Sequence, residues 1–263
     1  MVKITVIIPC YNQGEYIAEC LGSVIEQTFT DWEAIVVNDG SIDNSLAIIE
    51  EYAKKDKRIK ILNQTNQGVI VARNNAIKEA KGEFIYPLDG DDKIAPECLE
   101  LLYKAFLDGK GDVVYSEVEY FGNKSGIMLL KNPTKFNMLK SNCLTISALF
   151  KKSDALKYGG YDPKMKDGLE DWEFWFNFLC GNKKFYKVHE VLFFYRQSVS
   201  SRNNSFDFIK MLELRNYIFN KHNLWAMFNL ILILNFLYQH KITKSNKRLI
   251  KICKIPVYSR RVK

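Results

Sequence analysis

The sequence predicts an α/β fold built on a mostly parallel sheet with helices on both faces. Three observations predict it. Apolar, β-branched runs alternate with helical periodicities through the first 110 residues. The runs are short and continuously apolar, as strands buried on both faces are. The 263 residues, 47% of them hydrophobic, suffice for one large domain with a short appendage.

Each element carries its own signal. Residues 3–9 are a short, β-branched apolar run closed by Pro9. Residues 15–27 place Ile17, Leu21, Val24 and Ile25 on one helical face. Residues 32–37 read as a second buried strand, and 43–55 as a helix opened by Asp43 or Asn44 as N-cap. Strand 59–62, helix 69–80, strand 83–88 and helix 95–107 continue the alternation expected of a parallel sheet. Residues 112–187 change to an α+β character, with shorter strands, a loop at 122–126 and an aromatic stretch at 172–178. Residues 206–222 have helical spacing. The expected organisation is a main domain over 1–205, with halves 1–110 and 111–205, then C-terminal helices and a basic tail over 206–263.

The net charge of +8 belongs to that tail: residues 224–263 carry nine Lys and Arg and no acidic residue. Residues 1–223 are therefore near neutral, unlike a nucleic-acid enzyme with a basic groove through its body. No nucleic-acid partner is expected. Residues 224–238 are apolar but interrupted by Asn229 and Asn235, and are short of the ~20 residues of a membrane span. An apolar segment followed by cations suits the surface of an anionic membrane. A helix packed on the main domain with a solvated tail is the alternative. The six cysteines form no C-x-x-C and no zinc spacing with histidine. The chain opens straight into a strand-like run, so no signal peptide and a reducing, cytoplasmic setting are expected.

Ligands of open parallel sheets bind at the carboxyl ends of the strands. The first strand ends in Pro9-Cys10-Tyr11-Asn12, the second in Asn38-Asp39-Gly40-Ser41 and the fourth in Asp89-Gly90-Asp91-Asp92. Converging carboxylates are costly unless something positive neutralises them. Asp89 and Asp91, two apart, suit a hard divalent cation, Mg²⁺ or Mn²⁺, which completes its shell with phosphate and water. A solvated acidic turn is the plainer reading. A calcium loop is excluded, because Lys93 and Ile94 stand where a ligand and a glycine are needed. Asp39 suits acceptance from a base or ribose, or a turn cap. Arg73 suits a carboxylate or diphosphate, or an exposed helix face. Glu170 and Asp171 open an aromatic helix containing Trp172 and Trp175. They either favour the helix dipole or supply a general base, with the aromatics as a wall for sugar rings. No G-x-G-x-x-G follows the first strand, and no Walker loop or G-x-S-x-G elbow occurs.

Taken in order, these turns, with Asn66-Gln67-Gly68, Ala72-Arg73-Asn74 and Gly159-Gly160-Tyr161-Asp162, resemble the family-2 inverting glycosyltransferases over roughly residues 3–200. The resemblance implies a GT-A fold (Rossmann-like), a nucleotide-diphosphate-sugar donor, commonly a UDP-sugar, and a divalent metal. By position, Pro9, Tyr11 and Asp39 resemble base and ribose contacts, and Asn66 and Arg73 donor-pocket residues. Asp89 would face ribose or sugar, Asp91 would hold the metal, and Asp171 resembles the catalytic base. Glu170, Trp172 and Trp175 fall on the acceptor side. Many relatives carry Arg-x-His after the catalytic pair; here Tyr195-Arg196-Gln197-Ser198 keeps the arginine, a candidate diphosphate contact, without the histidine. The Q-x-x-R-W motif of processive synthases is absent, which implies one sugar per cycle. The acceptor expected is a glycan or a polyprenyl- or other lipid-linked glycan, met at the inner face of the cytoplasmic membrane.

Overall fold

The computed structural model describes residues 2–197, 208–225 and 228–229. Strands β1 (Ile4–Cys10), β2 (Trp32–Asp39), β3 (Ile59–Gln64) and β4 (Phe84–Pro87) alternate with helices α1 (Ile17–Ile25), α2 (Ser45–Lys55) and α3 (Val69–Glu79). The four strands pair in parallel, in the order β3-β2-β1-β4, with Val6 opposite both Ala34 and Tyr86. Every residue of β1 and β2 is buried, which is why both read as continuous apolar runs rather than alternating ones. Ile4, Val6, Ile8 and Cys10 share a core with Leu21 and Val24 of α1. The alternate residues Ile7, Ile35 and Val37 are buried too, on the face covered by α3.

Beyond β4 the sheet becomes mixed. In chain order come β5 (Lys93–Ile94), α4 (Cys98–Leu107), β6 (Val113–Gly122), β7 (Gly126–Met128), α5 (Lys135–Lys140), β8 (Leu149–Lys151), α6 (Lys152–Lys157), α7 (Glu170–Cys180), β9 (Phe185–Gln197) and α8 (Phe208–Lys221). The sheet runs β3-β2-β1-β4-β8-β6-β9-β5, with β7 on β6. Strand β8 is antiparallel to β4 and β6, β5 is antiparallel to β9, and β6 and β9 are parallel. The shorter strands expected here are found in β7 and β8, of three residues each, but β6 and β9 have ten and thirteen. Register shifts between Ser116 and Val118 interrupt their pairing, so each strand's two-residue pattern reads as two short pieces. The 122–126 loop is the β6–β7 turn, with Gly122 and Gly126 both at positive φ.

Helix α7 is anchored by aromatic rings. Phe150 meets Phe174, Trp175 and Phe178 at centroid distances of 5.3, 5.8 and 5.4 Å, and Tyr161 stacks on Phe174 at 4.1 Å. Helix α8 is tied to the same region. Tyr217 donates to Asp162 at 2.7 Å, and Lys221 pairs at 2.7 Å with both Asp162 and the fully buried Glu173. The chain forms two compact units, Met1–His222 and Asn223–Lys263. Helix α8 thus groups with the main unit. Of the second unit, residues 223–225 and 228–229 are described, so the expected basic membrane-surface element lies almost wholly outside the described residues. Among the described residues, no helix is long and apolar enough to cross a membrane.

Candidate active site

The carboxyl ends of β1 and β2 are sewn together by their own polar turns. Asn12 N donates to Ser41 Oγ at 3.1 Å, and Ile42 N donates to Asn12 Oδ1 at 2.9 Å. Gln13 N and Gly14 N donate to Ser45 and Asp43 of the next helix entry. Asp39, buried at the end of β2, accepts from Gln67 N at 2.8 Å, Gly68 N at 2.9 Å and Gln64 Nε2 at 2.7 Å. It therefore fixes the loop that opens α3, and one carboxylate oxygen keeps capacity for a further donor. Gly40 lies between them at φ +73°, where a Cβ would stand 2.8 Å from Asn66 N. Only glycine allows the two loops to approach this closely. Around this cleft Pro9 is buried, while Tyr11 and Asn66 are exposed.

Asp89, Asp91 and Asp92 follow β4. Arg73, on α3, is 3% exposed, so the exposed-cation alternative is excluded. Its guanidinium donates to Asp89 at 2.6 Å and to Glu170, at the start of α7, at 3.2 Å. Burial opposes its charge, but Asp89, Tyr161 and Glu170 outweigh that and hold its pKa above the ordinary value. This one side chain joins the turn after β4 to the helix that carries Asp171. A second link runs beside it. Asn74 donates to Tyr161 O at 2.8 Å and accepts from Tyr161 N at 2.8 Å.

Asp171 accepts from Asn142 Nδ2 at 2.8 Å and from Trp172 N at 2.7 Å. Burial, then the charge of Glu170, push its pKa up to about 7, the range that suits a general base near neutrality. Burial and Asp89 push Asp91 up to about 6. Burial, then Asp91 and Asp89, push Asp92 well above its usual range. Asp92 accepts Arg196 N at 2.8 Å through one oxygen, and its other oxygen is buried without a partner among the described residues. Arg196 Nε donates to Asp91 O at 2.7 Å, and its Nη2 pairs with Glu19. Tyr195 is raised by burial and by Asp92, Asp89, Asp91 and Asp171 together, so these carboxylates converge on one region.

Among the described residues, no group of three or more His, Cys, Asp or Glu is placed to hold a metal. A hard cation at a phosphate site needs only one or two carboxylates. Asp91 fits that use: its carboxylate accepts no hydrogen bond from another described residue, and the neighbouring Asp89 charge disfavours its ionised form.

The aromatic wall is corrected. Trp172 and Trp175 are buried, and their indole N–H groups donate to Met138 O and Thr145 O, each at 3.0 Å. Helical spacing turns both rings into the core, so they hold α7 rather than face a sugar. Two participants carried no sequence signal: Asn142, a lone amide 29 residues from its partner, and Glu19, the partner of Arg196; Asp92 stood in the strand-end turn without a role of its own.

Residues 5–196 match the family model described as Glycosyl transferase family 2. Glycosyltransferase GlyA of Streptococcus pneumoniae is 38% identical over 125 residues, covering 48% of this chain but only 18% of GlyA. The uncharacterized glycosyltransferase MJ1057 of Methanocaldococcus jannaschii is 30% identical over 225 residues, covering 81% of this chain and 77% of its own. TarS 1-349 of S. aureus, solved in complex with UDP, superposes with a TM-score of 0.66 at 25% identity, over 75% of this chain and 61% of that one. The fold is GT-A. A family match that spans the strand-end turns, the Arg73 bridge and Asp171 together leaves one assignment: the chain belongs to glycosyl transferase family 2.

Proposed function

We propose that this glycosyltransferase moves a single sugar from a UDP-sugar to a hydroxyl of a glycan or lipid-linked glycan, with inversion at the anomeric carbon. The observation that carries the reading is the buried Arg73 bridge, which sets Asp171 beside the Asp89–Asp91 turn. Pro9, Tyr11 and Asp39 take the base and ribose, and Asn66 and Asp89 the rest of the donor. Arg73 acts from beneath them by fixing Asp89. Asp171 accepts the proton of the acceptor hydroxyl while that oxygen attacks the anomeric carbon, and the bond from that carbon to the diphosphate oxygen breaks. A divalent cation, Mn²⁺ or Mg²⁺, held by Asp91 would offset charge on the departing diphosphate. Arg196 reaches that diphosphate by exchanging its Glu19 partner for phosphate. Peripheral attachment to the inner face of the cytoplasmic membrane through residues 224–263 completes the reading, supported by the nine cations there.

The test is thermal stability against a panel of nucleoside diphosphates with and without Mn²⁺. A metal-dependent rise with UDP alone is expected. No rise with any nucleotide overturns the donor assignment. Proton NMR of the transferred sugar then reads the anomeric configuration, and retention would exclude a single displacement.

A further inference from the structure

Between Glu119 and Asp154 the chain has no acidic residue. Elsewhere among the described residues several lysines meet a carboxylate, as Lys55, Lys60, Lys93, Lys183, Lys187, Lys210 and Lys221 do, and others do not. Lys124, Lys131 and Lys140 are exposed and make no ion pair among the described residues; Lys124 and Lys140 lie instead over the rings of Tyr120 and Phe136, each at 3.8 Å. Apolar side chains stand out in the same segment. Leu129 is 92% exposed, Ile127 49% and Phe136 45%. The pattern is strand-like and then helical. Met128 and Leu130 pack against the core, which turns Ile127, Leu129 and Lys131 outward. In α5, Met138 and Leu139 are buried, while Phe136 and Lys140, four apart, stay on the exposed face.

We propose that the exposed side of residues 124–140 is a docking surface for an anionic lipid bilayer. Unpaired lysines interleaved with outward apolar side chains match such a surface on both counts: cations for the headgroups, Leu129 and Phe136 for the acyl boundary. A polyanionic glycan would use the lysines but would leave Ile127 and Leu129 without a role. The position suits the chemistry. Two residues beyond Lys140, Asn142 holds Asp171, and Met138 O takes the Trp172 indole of the same helix. A bilayer seated here brings a lipid-linked acceptor to the base. That consequence rests on the transfer reading; the docking itself does not, and it is separate from the cationic tail.

The full chain is centrifuged with sucrose-loaded vesicles of phosphatidylcholine, or of phosphatidylcholine with phosphatidylglycerol, at low and high salt. Binding to the anionic vesicles only, weakened by salt, is expected. Lys131→Gln with Lys140→Gln should weaken it at least about tenfold, since each lysine near such a surface is worth about fivefold. Leu129→Glu should weaken it comparably. UDP binding in the presence of Mn²⁺ should stay unchanged in these variants, which checks the fold. Two results overturn the proposal: wild-type protein that ignores anionic vesicles, or segment variants that bind like wild type while Lys241→Gln with Lys244→Gln loses binding. Absence of UDP binding in every protein would instead count against the donor reading and leave the vesicle result standing.

Discussion

Strands β1 to β4 assemble their half of the site from turns one β-α unit apart, whereas the half carrying Asp171 is tied to the first by contacts across the chain. In the first half each polar turn follows its own buried strand, and the turns bond to one another over about one β-α unit, as Asn12 with Ser41 and Asp39 with Gly68. In the second, Arg73 and Asn74 reach partners 97 and 87 positions away, and Asn142 adds a contact to Asp171 over 29. A parallel sheet delivers its ligands' contacts by topology alone. Asp171, the proposed base, needs individual side chains to deliver it, and those are where single substitutions should separate binding from chemistry.

Asp171→Asn should give the largest separation. Loss of a general base costs about 10²–10⁴ in rate, so kcat should fall about a thousandfold while UDP affinity stays within about twofold of wild type. Transfer kinetics beside calorimetric titration of UDP read both. The same substitution should stabilise the protein above pH 7. Asp171 binds its proton more tightly when folded, with its pKa moved from 3.8 to about 7. Stability is therefore lost as pH rises through that window, and an amide removes the loss. Urea midpoints at pH 5 and pH 8 check the sign.

Arg73→Met breaks the bridge between the halves. Removing one partner of a buried ion pair costs about 3–5 kcal/mol. Here Asp89 and Glu170 keep some access to water, so about 2–3 kcal/mol is expected by urea denaturation. Both UDP binding and transfer should suffer, which distinguishes it from Asp171→Asn. Asp91→Ala should act on the donor half alone: the Mn²⁺-dependent part of UDP binding should disappear, while stability without metal should change by less than about 1 kcal/mol or rise, because a raised carboxylate is removed. Equal loss of UDP binding in Asp91→Ala and Asp171→Asn would dissolve the division of labour.

The same contrast sets what the sequence could disclose. The alternation of β1 to β4 with α1 to α3, and the strand-end Asp39, Asp89 and Asp91, were legible because buried parallel strands read as apolar runs and their ends as polar punctuation. Among the described residues strand β5, with two residues, pairs with the distant β9 alone, and nothing local marks it. The length of β6 and β9 was hidden by their register shifts. Trp172 and Trp175 misled because an aromatic run beside carboxylates suits both a sugar platform and a helix buried on several sides; only packing decides, and it chose burial. Arg73 was legible as a candidate but not as a bridge, since Glu170 lies 97 residues away.

Asn142 offers the finest test, because its partner sits at the meeting point of the two halves. Its amide donates to Asp171 Oδ2 at 2.8 Å, and a donor on a carboxylate favours the ionised form. The proposed base acts in that ionised form, so the rate should rise with pH through about 7 and level off above it. Asn142→Ala removes the donor and should move the inflection up by about 0.5–1 unit. At pH 6 the loss should then be about three- to tenfold, since below the pKa each unit is worth tenfold in ionised base; at pH 9 most of the rate should return. Asn142→Asp places a second carboxyl against the first and should move the inflection further. A variant that merely loosened α7 would lose rate by the same factor at every pH. The displacement of the inflection therefore reports the hydrogen bond itself, and an unmoved profile would reduce Asn142 to packing.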